Sequence, residues 1–188
     1  MIDELLRRQD DLQAQADAVV ADLGLPLLLS ALGEPVRTGS SALGLMVVPD
    51  IDITVACPSL DRDVVVGVAA RLARHERVRV VQFRKDDRHW NAEPDAYPDG
   101  LYVGVKYRDG AGPEWNADIW FVDEPERQPD LGHVRTLPDR ITPAARAAIL
   151  LIKHSRPDYR SFDLYRAVLD DGVRTPGDYD RWRVTHGQ

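Results

Sequence analysis

Three aspartates hold most of the chemistry that can be read directly from the chain. Asp50 and Asp52 stand in "VVPDIDITVA" and Asp118 in "WNADIWFVD". Each lies among Val, Ile and aromatic residues that read as a strand, where residues i and i+2 share a face at a backbone separation of ~7 Å. Asp50 and Asp52 therefore lie side by side, while Ile51, Ile53 and Val55 turn the other way. Aspartate is a poor strand former and like charges on one face repel, so the pair costs stability unless solvent or a cation relieves it. A half-exposed strand with one wetted face accounts for the pair taken alone. If the strand of Asp118 neighbours the first, three carboxylates meet. An oxygen-only set of this kind suits Mg²⁺, which binds through one or two carboxylates plus water and substrate phosphates. Two such ions ~3.5–4 Å apart form a clamp for in-line displacement at phosphorus.

The preceding stretch "TGSSALG" places Gly39 and Ser40 after a short strand and before a short helix. Glycine lets backbone approach a ligand closely, N–H groups at a helix start attract anions, and the Ser40 hydroxyl adds a hydrogen bond to a phosphate oxygen. Alone, Gly-Ser-Ser reads more readily as a turn and helix cap.

In combination, "VRTGSSALGLMVVPDIDI" resembles the signature of the DNA polymerase β-like nucleotidyltransferase superfamily: a hydrophobic strand, Gly-Ser, about ten residues, then Asp-x-Asp among aliphatics. The resemblance covers the first two thirds of the chain. It departs at Pro49, where many relatives carry a small polar residue, and in the apolar connector "SALGLMVV". It implies an enzyme that moves a nucleoside monophosphate, AMP from ATP, onto a hydroxyl of a small-molecule acceptor and releases pyrophosphate. Asp50 and Asp52 would hold two Mg²⁺ ions; Asp118 would ligate the ion nearest the acceptor and act as the catalytic carboxylate that takes the hydroxyl proton. Gly39 and Ser40 would contact the phosphates. Lys153 is the expected cation for the β- and γ-phosphates: it is one of three lysines beside 21 arginines and lies seven residues after Arg146 on one helix face. A solvated helix surface explains Lys153 equally well. The alternatives are modification of a protein, in the manner of antitoxins that adenylylate a partner toxin, and a module that binds a nucleotide without turnover. The presence of all three carboxylates argues against the last.

Charge narrows the acceptor. Of the net −7, residues 1–126 hold 13 Lys and Arg against 23 Asp and Glu, a balance of −10, and residues 127–188 hold 11 against 8, a balance of +3. An acidic body repels a polyanion, which disfavours nucleic acid. It suits a cationic acceptor. No apolar run approaches the ~20 residues that span a bilayer, and "MIDELLRRQDDLQ" lacks the apolar core of a signal peptide, so a cytoplasmic protein with no membrane partner is expected. The single Cys57 cannot form an internal disulfide.

The elements that must position these residues follow from pattern. Leu5, Leu12, Val19 and Leu23 recur at helical spacing, and "LPLLLSALG" continues or follows that helix. Ser59 is expected to cap a helix whose Val64, Val65, Val68 and Leu72 face inward. "RVRVVQF", "LYVGVKY" and "EWNADIWFVD" read as strands. "RKDDRHWNAEPDAYPDG" is too polar and Pro-rich for regular structure, with Trp90 and Tyr97 expected to pack it down rather than to stack on a base or acceptor ring. "EPERQPDLGHVRTLPDR" reads as a linker, and Thr142-Pro143 and Thr175-Pro176 open helices beyond it. The class is α+β: a nucleotidyltransferase-like mixed sheet flanked by helices over residues 1–126, with a C-terminal helical extension over 127–188. Trp120 shares the face of Asp118 and would wall the acceptor pocket. His133, His154 and Asp123 are expected to be surface or turn residues.

Overall fold

The structure, a computed structural model, describes residues 1–187. Helix α1 (Ile2–Asp22) buries Leu5, Leu12, Ala16 and Val19 along one stripe. Gly24, at φ +62°, breaks the path, so the apolar segment that follows is a separate helix α2 (Leu25–Ser30). Then come β1 (Glu34–Thr38), α3 (Gly39–Leu43), β2 (Asp50–Ala56), α4 (Arg62–Leu72), β3 (Val78–Asp86), β4 (Gly100–Arg108) and β5 (Glu114–Val122). The last third folds as α5 (Pro129–Thr136), α6 (Pro143–Ser155), α7 (Ser161–Leu169) and α8 (Pro176–Thr185). Helices and one sheet segregate as the expected α+β class.

The five strands form one mixed sheet in the order β1-β2-β5-β4-β3. β2 and β5 are parallel, while β1 with β2, β4 with β5, and β3 with β4 are antiparallel. One face is apolar: Ile51, Ile53 and Val55 of β2, Ala117, Ile119 and Phe121 of β5 and Leu101, Val103 and Val105 of β4 are buried, packed with residues of α1, α2 and α4. A second apolar cluster joins α6, α7 and α8 through Ile149, Ile152, Leu164, Val168 and Tyr179. It recruits Leu43 and Leu45 from the connector after Gly39, while Met46 packs in the first cluster, so the connector is apolar because it is shared between two cores.

Three local expectations are corrected. Asp61, not Ser59, caps α4, accepting hydrogen bonds from the backbone N–H groups of Asp63 and Val64. The later start turns Val65, Val68, Ala69 and Leu72 inward and leaves Val64 47% exposed. The polar stretch from Arg84 begins as strand, since pairing of Lys85 with Leu101 and Asp86 with Gly100 satisfies its backbone; a single 3-10 turn at Arg88–Trp90 follows. The supposed linker holds α5, started by Pro129 and anchored by Leu131 alone. One buried residue gives no readable period.

Candidate active site

The second sheet face carries the polar residues, and the register lines them up in rows. Thr38, Asp52, Asp118 and Gly104 form one row across β1, β2, β5 and β4. The next is Val36, Thr54, Trp120, Tyr102 and Arg84. Parallel pairing thus sets Asp52 directly beside Asp118, with Asp50 one step away on β2. Each of the three half-buried carboxylates offers an oxygen, and these oxygens all lie within 4.8 Å of one another. Burial and the charge of Asp118 push the Asp50 carboxyl up to about 6. Burial and the charges of Asp50 and Asp118 push Asp52 to about 7. Three oxygen donors in mutual repulsion fit a hard divalent cation such as Mg²⁺, whose charge would offset the repulsion.

Gly39 bounds this set on the β1 side. It has φ +61°, and a Cβ built on it would stand 1.9 Å from Asp52 Oδ2. Both the backbone angle and the contact therefore demand glycine. Ser40 lies half-buried next to it at the start of α3.

No family model matches the chain, and no curated protein matches it. Solved structures do. A mutant of the Cid1 poly(U) polymerase bound to MgATP superposes with a TM-score of 0.56 at 16% identity, covering 92% of this chain and 49% of that one. Cid1 with its short product ApU gives a TM-score of 0.52 at 15% identity over 94% and 47%. CdnC of E. coli MS115-1 with ATP gives 0.48 at 19% identity over 94% and 65%. This is the polymerase β-like nucleotidyltransferase fold. The chain spans about half the length of the Cid1 chains it matches.

Within the nucleotidyltransferase fold, Lys153 does not lie on a solvated helix surface. It is 2% exposed, and its Nζ donates to the Leu45 carbonyl and to the Tyr165 hydroxyl, each at 3.1 Å. Burial lowers its ammonium to about 8 against the opposing pull of Asp52 and Asp50. The same charges mark it as a buried neighbour of Asp50 and Asp52, whereas Arg146 lies against Gly44. His133 stands 3.8 Å from Asp130 and stacks on Phe162; His154 and Asp123 are exposed.

Tyr102 is a functional neighbour that sequence reasoning misses. Its hydroxyl donates to Asp118 Oδ1 at 2.6 Å. Gly104 makes room for it, since a Cβ there would stand 2.3 Å from that hydroxyl. The Tyr102 ring lies 5.0 Å from Trp120, and the Arg84 guanidinium sits 4.5 Å above it, held by Asp86. The available signal was a tyrosine two residues from a glycine in a strand, which points to nothing until the register sets both opposite Trp120 and Asp118.

Proposed function

We propose that the protein is a Mg²⁺-dependent nucleotidyltransferase that moves AMP from ATP onto a hydroxyl of a small-molecule acceptor. The observation that carries this reading is the convergence of three carboxylate oxygens within 4.8 Å beside the tight Gly39 turn. Asp50, Asp52 and Asp118 would hold the ions, which would neutralise triphosphate charge and favour departure of pyrophosphate. Gly39 and Ser40 would bring backbone and a hydroxyl to the phosphates, and the buried Lys153 would supply positive potential near the carboxylates. Asp118 orients the acceptor hydroxyl and takes its proton. The acceptor oxygen forms a bond to the α-phosphorus as the bond to the bridging oxygen breaks, and pyrophosphate leaves with that electron pair. Residues 1–126 form the transferase core in this reading, and residues 127–188 are the helical extension that contributes Lys153. The cytoplasm, which supplies ATP and Mg²⁺, is its expected location.

Binding and transfer test the reading together. Mg²⁺-dependent ATP binding is expected in the native protein and lost in Asp52→Ala; tight Mg²⁺–ATP binding that survives Asp50→Ala/Asp52→Ala removes the metal assignment. Incubating labelled ATP with a metabolite pool, an RNA oligonucleotide and a protein extract separately shows where label ends. Label on RNA or protein replaces the acceptor class, and label on nothing removes the transferase reading.

A further inference from the structure

Past Asp118 the polar sheet face runs into a cavity of about 470 Å³. Trp120 and Val122 of β5 and Arg84 and Asp86 of β3 form its floor; the segment carrying Trp90, Glu93 and Tyr97 forms one wall, and Asp130 contributes to the other. We infer that this cavity is the acceptor site, and that it takes a small hydroxyl compound combining a flat apolar ring with a protonated amine. The inference rests on the transferase reading above and adds to it the place and chemical class of the acceptor.

Position is the first argument. In the strand order β1-β2-β5-β4-β3, Gly39 and Ser40 adjoin β1 at one side of the carboxylates and the floor of the cavity is β5 and β3 at the other, while its walls at Tyr97 and Asp130 reach back to a smaller cavity that Gly39 lines. The cavity floor thus meets the carboxylates from a different part of the sheet than the Gly39 turn does, which leaves an acceptor hydroxyl and the donor phosphates separate approaches to one metal site. Asp118 lies two residues from Trp120, a floor residue of the cavity, on the same strand and face.

The walls give the second argument. Trp90 is 57% exposed and Tyr97 43% exposed, although large aromatic rings normally turn into a core. They are not loosely displayed. Asn91 Nδ2 donates to the Tyr97 carbonyl and to Asp99 Oδ1, each at 3.2 Å, and Arg127 Nη2 donates to the Pro94 carbonyl at 2.5 Å. A pinned segment therefore holds two ring faces open beside a third, Trp120. Such faces bind flat rings by stacking and cations through the ring quadrupole.

Charge decides the sign of the ligand. Arg84 is the only basic lining residue among those described, and Asp86 neutralises it. Glu93 has no Lys, Arg or His partner among the described residues, and Asp130 has only His133 at 3.8 Å. With Arg84 set against Asp86, Glu93 and Asp130, the lining stays negative on balance, which favours a cation and repels a phosphate backbone. The volume falls in the small-molecule range.

Three probes that share a hydroxyphenyl ring and differ in charge test this: tyramine, tyrosol and 4-hydroxyphenylacetate, titrated against the full chain by saturation-transfer NMR. Tyramine is expected to bind most tightly and 4-hydroxyphenylacetate least, with about tenfold between them. Glu93→Gln/Asp130→Asn should collapse that span to about twofold, and Trp90→Ala should weaken all three at least about fivefold while circular dichroism stays native. A flat or reversed order in the native protein overturns the inference. So does displacement of tyramine by saturating Mg²⁺–ATP, which would put the nucleobase in the cavity. If the native protein binds no Mg²⁺–ATP but keeps the tyramine preference, the transferase reading fails and the ligand class stands. A flat order with Mg²⁺–ATP binding intact removes the ligand class alone.

Discussion

Ile51, Ile53 and Val55 leave one side of β2, and Asp50 and Asp52 leave the other, yet the two sides follow opposite rules. On the apolar side each residue meets like neighbours and is fully removed from water. On the polar side burial and mutual charge push both carboxyls above their ordinary range, a local penalty that packing does nothing to offset. The strand tolerates this because the odd-numbered residues hold it in place. Stability and chemistry are thus separated at every second residue. The contrast locates function better than either face does alone, since a sheet side chosen only for stability would not bring three carboxylates into one row and its neighbour.

The largest effects should split along this division. Phe121→Ala, on the apolar side, removes a fully buried ring and is expected to cost about 3–5 kcal/mol, seen as a lowered midpoint in urea with nucleotide binding intact in the remaining folded fraction. Asp52→Asn, one strand away on the polar side, should leave the midpoint equal or higher, because it relieves repulsion, and should abolish Mg²⁺–ATP binding and transfer by about a thousandfold or more. A destabilisation by Asp52→Asn comparable to that of Phe121→Ala would break the comparison. Gly39→Ala comes next: the added methyl meets Asp52 Oδ2 and the φ of +61° is strained, so a cost of about 1–3 kcal/mol is expected together with weakened ATP binding. Unchanged ATP affinity in that variant would detach Gly39 from the site.

Proton binding sharpens the same contrast. Asp50 and Asp52 titrate at about 6 and about 7 in the folded chain against an ordinary 3.8. With folded values raised, their contribution to stability is fully present below pH ~4 and is lost as pH rises through ~6 to ~7. Without Mg²⁺, the thermal midpoint of the native protein relative to Asp50→Asn/Asp52→Asn should therefore fall between about pH 4 and about pH 7, and Mg²⁺ at the upper end should recover it. A difference that does not change with pH would show that the carboxylates are not in mutual repulsion.

How much of this was legible follows from the range of each signal. Asp50, Asp52, Gly39 and Ser40 were readable because they lie within fourteen residues and their spacing is local. Asp118 was readable only as a third aspartate, in a second strand; its pairing with Asp52 depends on a parallel β2–β5 register that no spacing encodes. Lys153 was visible as a rare lysine, but its burial comes from Leu45 and Tyr165, 108 residues before it and 12 after. The helix at Pro129–Thr136 escaped because Leu131 alone anchors it, and Trp90 and Tyr97 looked like packing residues because one of the hydrogen bonds that pin their segment comes from the side chain of Arg127, 33 residues beyond Pro94. For the site residues, long-range contact rather than residue type was the missing information.

Tyr102 should give the smallest effect and the finest resolution of the comparison. It sits on the polar side, yet its ring packs against Trp120 and Arg84 as a core residue would. Burial and the bond to Asp118 raise its hydroxyl well above the usual tyrosine range, so it stays protonated and donates at 2.6 Å. Tyr102→Phe keeps the ring and removes only that donor. If the hydroxyl positions Asp118, kcat should fall about three- to tenfold with little change in the acceptor KM, and stability should shift by less than about 1 kcal/mol. If Tyr102 belongs instead to the packing regime, Phe should be silent in kcat, and only Tyr102→Ala should register, as a loss of stability. Steady-state kinetics and urea denaturation on the two variants assign the residue to one side of the division, because the hydroxyl serves the carboxylate and the ring serves the fold.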